Sequence, residues 1–257
     1  MKQKLNVGVV ITLSGRWPRE LPTKRFEEYG SWIEKSLPDS RVLRFEKLIA
    51  GREDMAECID IFKKQEIELI IQVYGAFTGD DICCGLADAL HVPIVLWAPR
   101  EEQWVRDDRL YANALCSAAM NGASMKRIGA AHHIVFGNKE EERVHSEILR
   151  IVNAYTVVKN MKGITFGLFG YRPTAFYNCS FDEVAIRRTF GIDMEETDLK
   201  VVFDRMAALD EKEVKDEIEH VKSLWDTSSL PEEYVENHAR LYLTLKPLMP
   251  EQKYAYA

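Results

Sequence analysis

The sequence has no run of about 18 or more apolar residues, the minimum for a membrane-spanning helix. An apolar segment, 5–13, does follow a basic start and so mimics a signal peptide. The next residues, Gly15-Arg16-Trp17-Pro18-Arg19, offer no small-residue cleavage site, so a first core strand is the reading. Positive charge is not in excess: the formal net charge is −7. A chain built to grip a phosphate backbone gathers Lys and Arg, so nucleic acid is not the expected partner. Cysteines number five, without a C-x-x-C pair, and Cys83-Cys84 are too close in sequence to bridge readily. That pattern fits reduced, buried thiols in a cytoplasmic protein and supports neither a disulfide framework nor a zinc site. The loop after the first apolar run holds only Gly15, so the G-x-G-x-x-G fingerprint of dinucleotide binding is missing. Repeats, low-complexity tracts and a Ser/His/Asp or Cys/His constellation are also lacking.

What is present is globular. The 257 residues are 46% hydrophobic and 29% charged, enough for a sizeable core and for two domains. Residues 6–13, 40–48, 66–74, 92–98 and 132–137 read as buried strands, because they are apolar and β-branched without a helical period. Between them, 24–37, 52–65, 80–90 and 113–128 carry helical spacing; the last is rich in small residues (Ala114, Ala118, Ala119, Gly122, Ala123). Five strands alternating with helices predict an α/β domain over 1–139, a doubly wound parallel sheet; the flavodoxin-like order 2-1-3-4-5 fits five units best, and the dinucleotide-binding order is the alternative. An amphipathic helix at 140–160 opens a second α/β domain, 140–257, read as incomplete. Its strands are 164–170 and 193–199, its helices 181–190, 200–208, 212–225 and 232–245, and a further strand begins at 253–257.

Open α/β sheets bind ligands beyond the carboxyl ends of their strands. The loops expected there are 14–19, 74–80 and 97–101. They hold guanidinium groups, aromatic rings and hydroxyls, which suit a polyol, although loop charges and packing anchors account for the same residues. His132-His133 sit next to each other on a strand and so point to opposite faces, one buried and one exposed, which excludes a shared metal. Asp80-Asp81 and Asp182-Glu183 stand where carboxylates cap helices, and Asp107-Asp108 reads as a solvated turn.

Several segments carry a resemblance. Residues 163–183 end a strand in Gly170-Tyr171-Arg172-Pro173 and continue through an aromatic-rich loop to Asp182-Glu183, with Phe190-Gly191 and Asp198-Leu199 beyond. Upstream stand Leu13-Ser14-Gly15-Arg16-Trp17-Pro18, Tyr74-Gly75, Leu96-Trp97-Ala98 and the small-residue stretch from Asn113 to Ser117. In this order and spacing the chain resembles the N-terminal domains of L-fucose isomerase-like sugar isomerases. The resemblance implies aldose–ketose isomerisation through an ene-diol, with a divalent cation, usually manganese, in the complete enzyme. Its two carboxylate ligands and one histidine ligand would lie past this chain, so no metal ligand and no catalytic base is assigned here, no cation is expected on this chain, and the chain alone is expected to be inactive. It further implies a monosaccharide substrate and a homo-oligomer, trimer or hexamer, in which the first domain walls a neighbour's site. The substrate-binding candidates are Arg16 and Trp17 in the first loop, with Gln72 and Tyr74 near the third-strand turn, where some members carry a stacking aromatic. Arg172 and Asp182 match second-domain positions. Two other readings stand beside this one: a sugar-binding regulatory module without catalysis, and a family member acting on a sugar other than fucose.

Overall fold

The structure is a computed structural model and describes residues 3–101, 104–105 and 109–257; Asp107-Asp108 lie outside the described residues. The chain forms two compact units, Met1–Lys159 and Asn160–Ala257. The division falls after Lys159, whereas the sequence reading placed it after residue 139.

The first unit contains β1 (Asn6–Thr12), α1 (Glu20–Ser36), β2 (Arg41–Arg44), α2 (Arg52–Lys64), β3 (Leu69–Tyr74), α3 (Asp80–Leu90) and β4 (Ile94–Ala98). A two-residue hairpin follows, β5 (Trp104–Val105) and β6 (Arg109–Leu110), then α4 (Ala114–Arg127), β7 (His132–Phe136) and α5 (Glu142–Met161). The main sheet is parallel in the order β2-β1-β3-β4-β7. This is the expected 2-1-3-4-5 arrangement, the hairpin being an insertion before the fifth strand of the sheet.

The two faces are filled by strict alternation along the central strands. Val7, Val9 and Ile11 of β1 pack with Leu69, Ile71 and Val73 of β3 and Val95 and Trp97 of β4, under α1 and α5. Val10, Ile70, Tyr74, Ile94, Leu96 and Ala98 face α2, α3 and α4. Gly8 has to be glycine here, since a Cβ would collide with the ring of the fully buried Phe62. The expected second strand is shorter than its apolar run, because β2 is an edge and half-buried strand; Ile49 touches β1 only through an isolated bridge to Thr12.

The second unit pairs β8 (Thr165–Phe169), β9 (Asp193–Thr197) and β10 (Tyr254–Tyr256) in the parallel order β10-β8-β9. Its helices are α6 (Glu183–Phe190), α7 (Leu199–Ala207), α8 (Glu211–Leu224) and α9 (Glu232–Glu251). Asp182, Asp198 and Asp210 accept hydrogen bonds from the first-turn amides of α6, α7 and α8. Gly191, at φ 70°, ends α6 in the left-handed region. The last helix runs past the expected stop at 245 and includes Pro247 and Pro250, whose missing N–H groups leave the carbonyls of Leu243 and Lys246 without a ladder donor.

Candidate functional site

The carboxyl ends of β1, β3 and β4 are held together by hydrogen bonds between loops rather than by the strands alone. After β1 the chain turns at once: Trp17 N–H donates to Ser14 O at 2.9 Å, while Ser14 N–H donates to Phe77 O at 2.6 Å. That second bond ties the first loop to the loop after β3. The Trp17 and Phe77 rings then stack, centroids 6.0 Å apart at 26°. Both rings are half-buried, with Trp17 packed on a small cluster of Leu13, Leu21, Ala76 and Ala112. The result is a fixed aromatic surface on the rim.

Arg16 stands beside it, exposed, with no side-chain hydrogen bond or ion pair among the described residues; Arg19 is placed likewise. Their neighbours are committed elsewhere. Arg25 is 1% exposed and donates from Nη1 to the carbonyls of Tyr74 and Gly75, both at 3.1 Å, and from Nη2 to Arg100 O at 2.9 Å. A single buried guanidinium thereby joins the loops after β3 and β4. Arg100 forms a two-point contact with Glu141, Nε to Oε1 at 2.6 Å and Nη2 to Oε2 at 2.9 Å. The Arg100 guanidinium, with the Asn138 amide, holds the Glu141 carboxyl at about 2, well below its ordinary value. Glu101 accepts the amides of Ala112 and Ala114, so the segment leading into α4 is pinned as well.

Gln72 and Tyr74 occupy different ground. Both are 0% exposed, on the β3 face that meets α4. Gln72 Nε2 donates to Thr12 Oγ1 at 3.3 Å, and Thr12 shares a 3.0 Å hydroxyl contact with Thr78. Tyr74 Oη accepts from Asn121 Nδ2 at 2.7 Å, and burial pushes its phenol well above the ordinary value. Of the four candidates, the structure brings Arg16 and Trp17 together on the rim and places Gln72 and Tyr74 beneath it, where they have no exposed surface to offer a ligand. Gln72 Oε1 and Asn121 Oδ1 have no hydrogen-bond partner.

Two features were not legible beforehand. Arg25 lies within the helix expected at 24–37, and nothing in its local sequence marks it out. The helix α4 read as a long small-residue helix, yet its polar residues recur at helical spacing: Ser117 and Asn121 reach the β3–α3 loop, and Ser124 the first residue of α3. That i, i+4, i+7 stripe was the available signal. Asp80 and Asp81 were expected to cap α3. The N-cap is Gly79 with no side-chain bond; Asp80 instead accepts from Ser124 at 2.6 Å and Asp81 faces Arg52 at 3.7 Å. His132 and His133 do point to opposite faces, His132 towards Gly122 and His133 to Tyr155 Oη at 3.0 Å. Both are half-exposed, contrary to expectation, because β7 is the sheet's edge. In the second unit Arg172 is exposed, its guanidinium carbon 5.1 Å from the centroid of the Tyr177 ring, and Asp182 serves as the cap of α6. Among the described residues no group of three or more His, Cys, Asp or Glu is arranged to hold a metal ion, and no helix is long and apolar enough to cross a membrane.

With this geometry in view, the comparisons with known proteins are specific. Residues 8–162 match the family described as fucose/sulfoquinovose isomerase, N-terminal domain. Among curated proteins, a sulfoquinovose isomerase of Priestia aryabhattai is 22% identical over 71% of this chain and 41% of its own length. One from Clostridium sp. (strain MSTE9) is 24% identical over 77% of this chain and 45% of its own, and one from Alkalicoccus urumqiensis is 21% identical over 68% and 39%. The aligned part thus spans less than half the length of these relatives.

Proposed function

Because the chain belongs to the fucose/sulfoquinovose isomerase N-terminal-domain family, we propose that it forms the N-terminal part of a divalent-metal-dependent aldose–ketose isomerase and supplies a wall of the sugar site. The observation that carries this reading is the family match, which takes in nearly all of the five-stranded sheet and every loop of its carboxyl rim. The reaction moves a proton between C1 and C2 through an ene-diol, with carboxylates as acid and base. The divalent ion, manganese in this reading, polarises the carbonyl and hydroxyl oxygens. No ligand for the ion is proposed on this chain.

This chain's part is recognition. Trp17 stacked on Phe77 offers a flat apolar surface to a sugar face, and Arg16 offers planar donors to its hydroxyls. Gln72 and Tyr74 act from below by fixing the strand end that carries the loop. The curated relatives bear the name sulfoquinovose isomerase, and sulfoquinovose is a sulfonated sugar. We therefore place a sulfonated monosaccharide first among substrates, with the unpaired Arg16 and Arg19 available to its charge. A cytoplasmic homo-oligomer, trimer or hexamer, in which this rim faces a neighbouring subunit's catalytic groups, completes the proposal.

The test is ketose formation from sulfoquinovose and from L-fucose by the native gene product, with and without manganese. Turnover that Arg16→Ala lowers about tenfold, the scale of one lost charge-assisted contact, at unchanged Tm supports the proposal. A native product that binds the sugar and never converts it overturns the proposal in favour of a regulatory binding module.

A further inference from the structure

The rim's aromatic surface is not self-supporting. Phe77 owes its place to residues on either side of it, and those residues are gripped from α4. Ser117 Oγ accepts the Thr78 N–H at 2.8 Å, inside a fully buried contact. One turn on, Asn121 Nδ2 donates to Tyr74 Oη at 2.7 Å and reaches Gly79 O at 3.5 Å. The next turn brings Ser124 Oγ to Asp80 Oδ2 at 2.6 Å. Three residues on one helical face therefore hold a strand end, a loop amide, a loop carbonyl and the first residue of α3.

The chain of contacts continues outwards. Thr78 is bonded to Ser117 by its amide and to Thr12 by its hydroxyl. The adjacent Phe77 accepts Ser14 N–H and stacks on Trp17. A shift of Thr78 must move Phe77, and with it the ring stack and the Ser14 amide bond that join the Trp17 loop to the β3–α3 loop. Thr78 is 1% exposed, so its N–H has to find a partner within the protein, and α4 supplies it. The price is visible in the same cluster: Gln72 and Asn121 are 0% exposed, and each leaves its side-chain oxygen without a donor. Orphaned buried acceptors cost stability, and apolar groups of the same shape in their place can be neutral or stabilising. A polar clamp kept at that cost points to a requirement on geometry.

We propose that Ser117 and Asn121 are positioning residues for the Trp17–Phe77 surface, acting through Thr78 and Tyr74 rather than by touching a ligand. The proposal rests on the sugar-site reading above, which gives that surface its purpose.

The test uses the full 257-residue chain. Ser117→Ala removes one hydroxyl, and Tyr74→Phe independently removes the Asn121 partner without changing shape. Amide exchange, ring-to-ring NOEs between Trp17 and Phe77, and sulfoquinovose affinity are measured for each. In Ser117→Ala we expect exchange at Thr78 to rise about tenfold or more, exchange at Ser14 to rise with it, and the Trp17–Phe77 contact to weaken. Amides within β1 and β3 should keep their rates, and affinity for sulfoquinovose should fall about fivefold. Tyr74→Phe should show the same pattern more weakly. Faster exchange confined to Thr78, with Ser14 protection and the ring contact unchanged, overturns the proposal. So does wild-type binding of sulfoquinovose that both variants retain in full. If the clamp loosens as described and even the wild type binds no sugar, the positioning stands and the sugar-site reading fails.

Discussion

The two units use similar strands to different ends. In the first, β3 and β4 are buried at every position and β1 at all but its first. In the second, the central strand β8 is buried only at Gly167, and β10 only at Tyr254. Among the described residues, six large hydrophobic side chains of the first unit are exposed and sixteen of the second, although the second is the smaller. Tyr171, Tyr177 and Trp225 are 80%, 76% and 68% exposed, and Phe166, Ile186 and Met194 help line an apolar recess of about 280 Å³. Layering explains the difference. Helices cover both faces of the five-stranded sheet, so alternation along each strand fills two cores. A three-stranded sheet cannot bury as much.

The sharpest way to break this comparison is to separate the halves. Residues 1–159 alone should unfold cooperatively with a Tm within a few degrees of the first transition of the whole chain, while 160–257 alone should self-associate. Sedimentation and circular dichroism decide it; a monomeric 160–257 with a sharp melt would refute the contrast.

A paired substitution comes next in size. Trp97 is 0% exposed, lies against Tyr29 and Trp32, and donates Nε1–H to Gly137 O at 2.9 Å. Trp97→Ala should cost about 3–5 kcal/mol in denaturant unfolding. Trp225→Ala, at an exposed site, should stay within about 0.5 kcal/mol. Similar losses from both would mean that Trp225 is covered in solution.

The smallest effect concerns the rim and pH. The Glu141 carboxyl is lowered from 4.5 to about 2, first by Arg100. A depressed folded-state value means that its contribution is complete above pH 4.5 and disappears as pH falls towards 2. Glu141→Gln should flatten stability against pH across that window, and an unchanged slope would show that the Arg100 contact is not maintained in solution. The carboxylate is exposed, so the effect is slight.

Much of this was readable from the residues. Apolar β-branched runs located five strands, and the crossover rule left few orders, of which the one observed fits five units best. Asp182 announced the start of α6 and Gly191 its end, because caps are local chemistry. Strand 40–48 was drawn too long, since apolar content does not distinguish a paired edge residue from a buried loop residue such as Phe45. At the site, Arg16 and Trp17 were legible as loop residues after a strand. Arg25 was not: its role depends on three carbonyls contributed by loops 49 to 75 residues away. Ser117, Asn121 and Ser124 were hidden for the same reason, their partners being distant in sequence.

By itself, the sequence determined the alternation of strands and helices, the two faces of the sheet and the residues of its rim loops. Those follow from the periods of 2 and 3.6, from turn residues and from caps, all set within a few positions. Only the tertiary structure decided which of the four candidates are exposed, which guanidinium ties the rim together and which are left free, and that α4 grips the loop carrying Phe77. Those depend on where distant polar groups meet, because a buried donor or acceptor must find its partner wherever the fold places one.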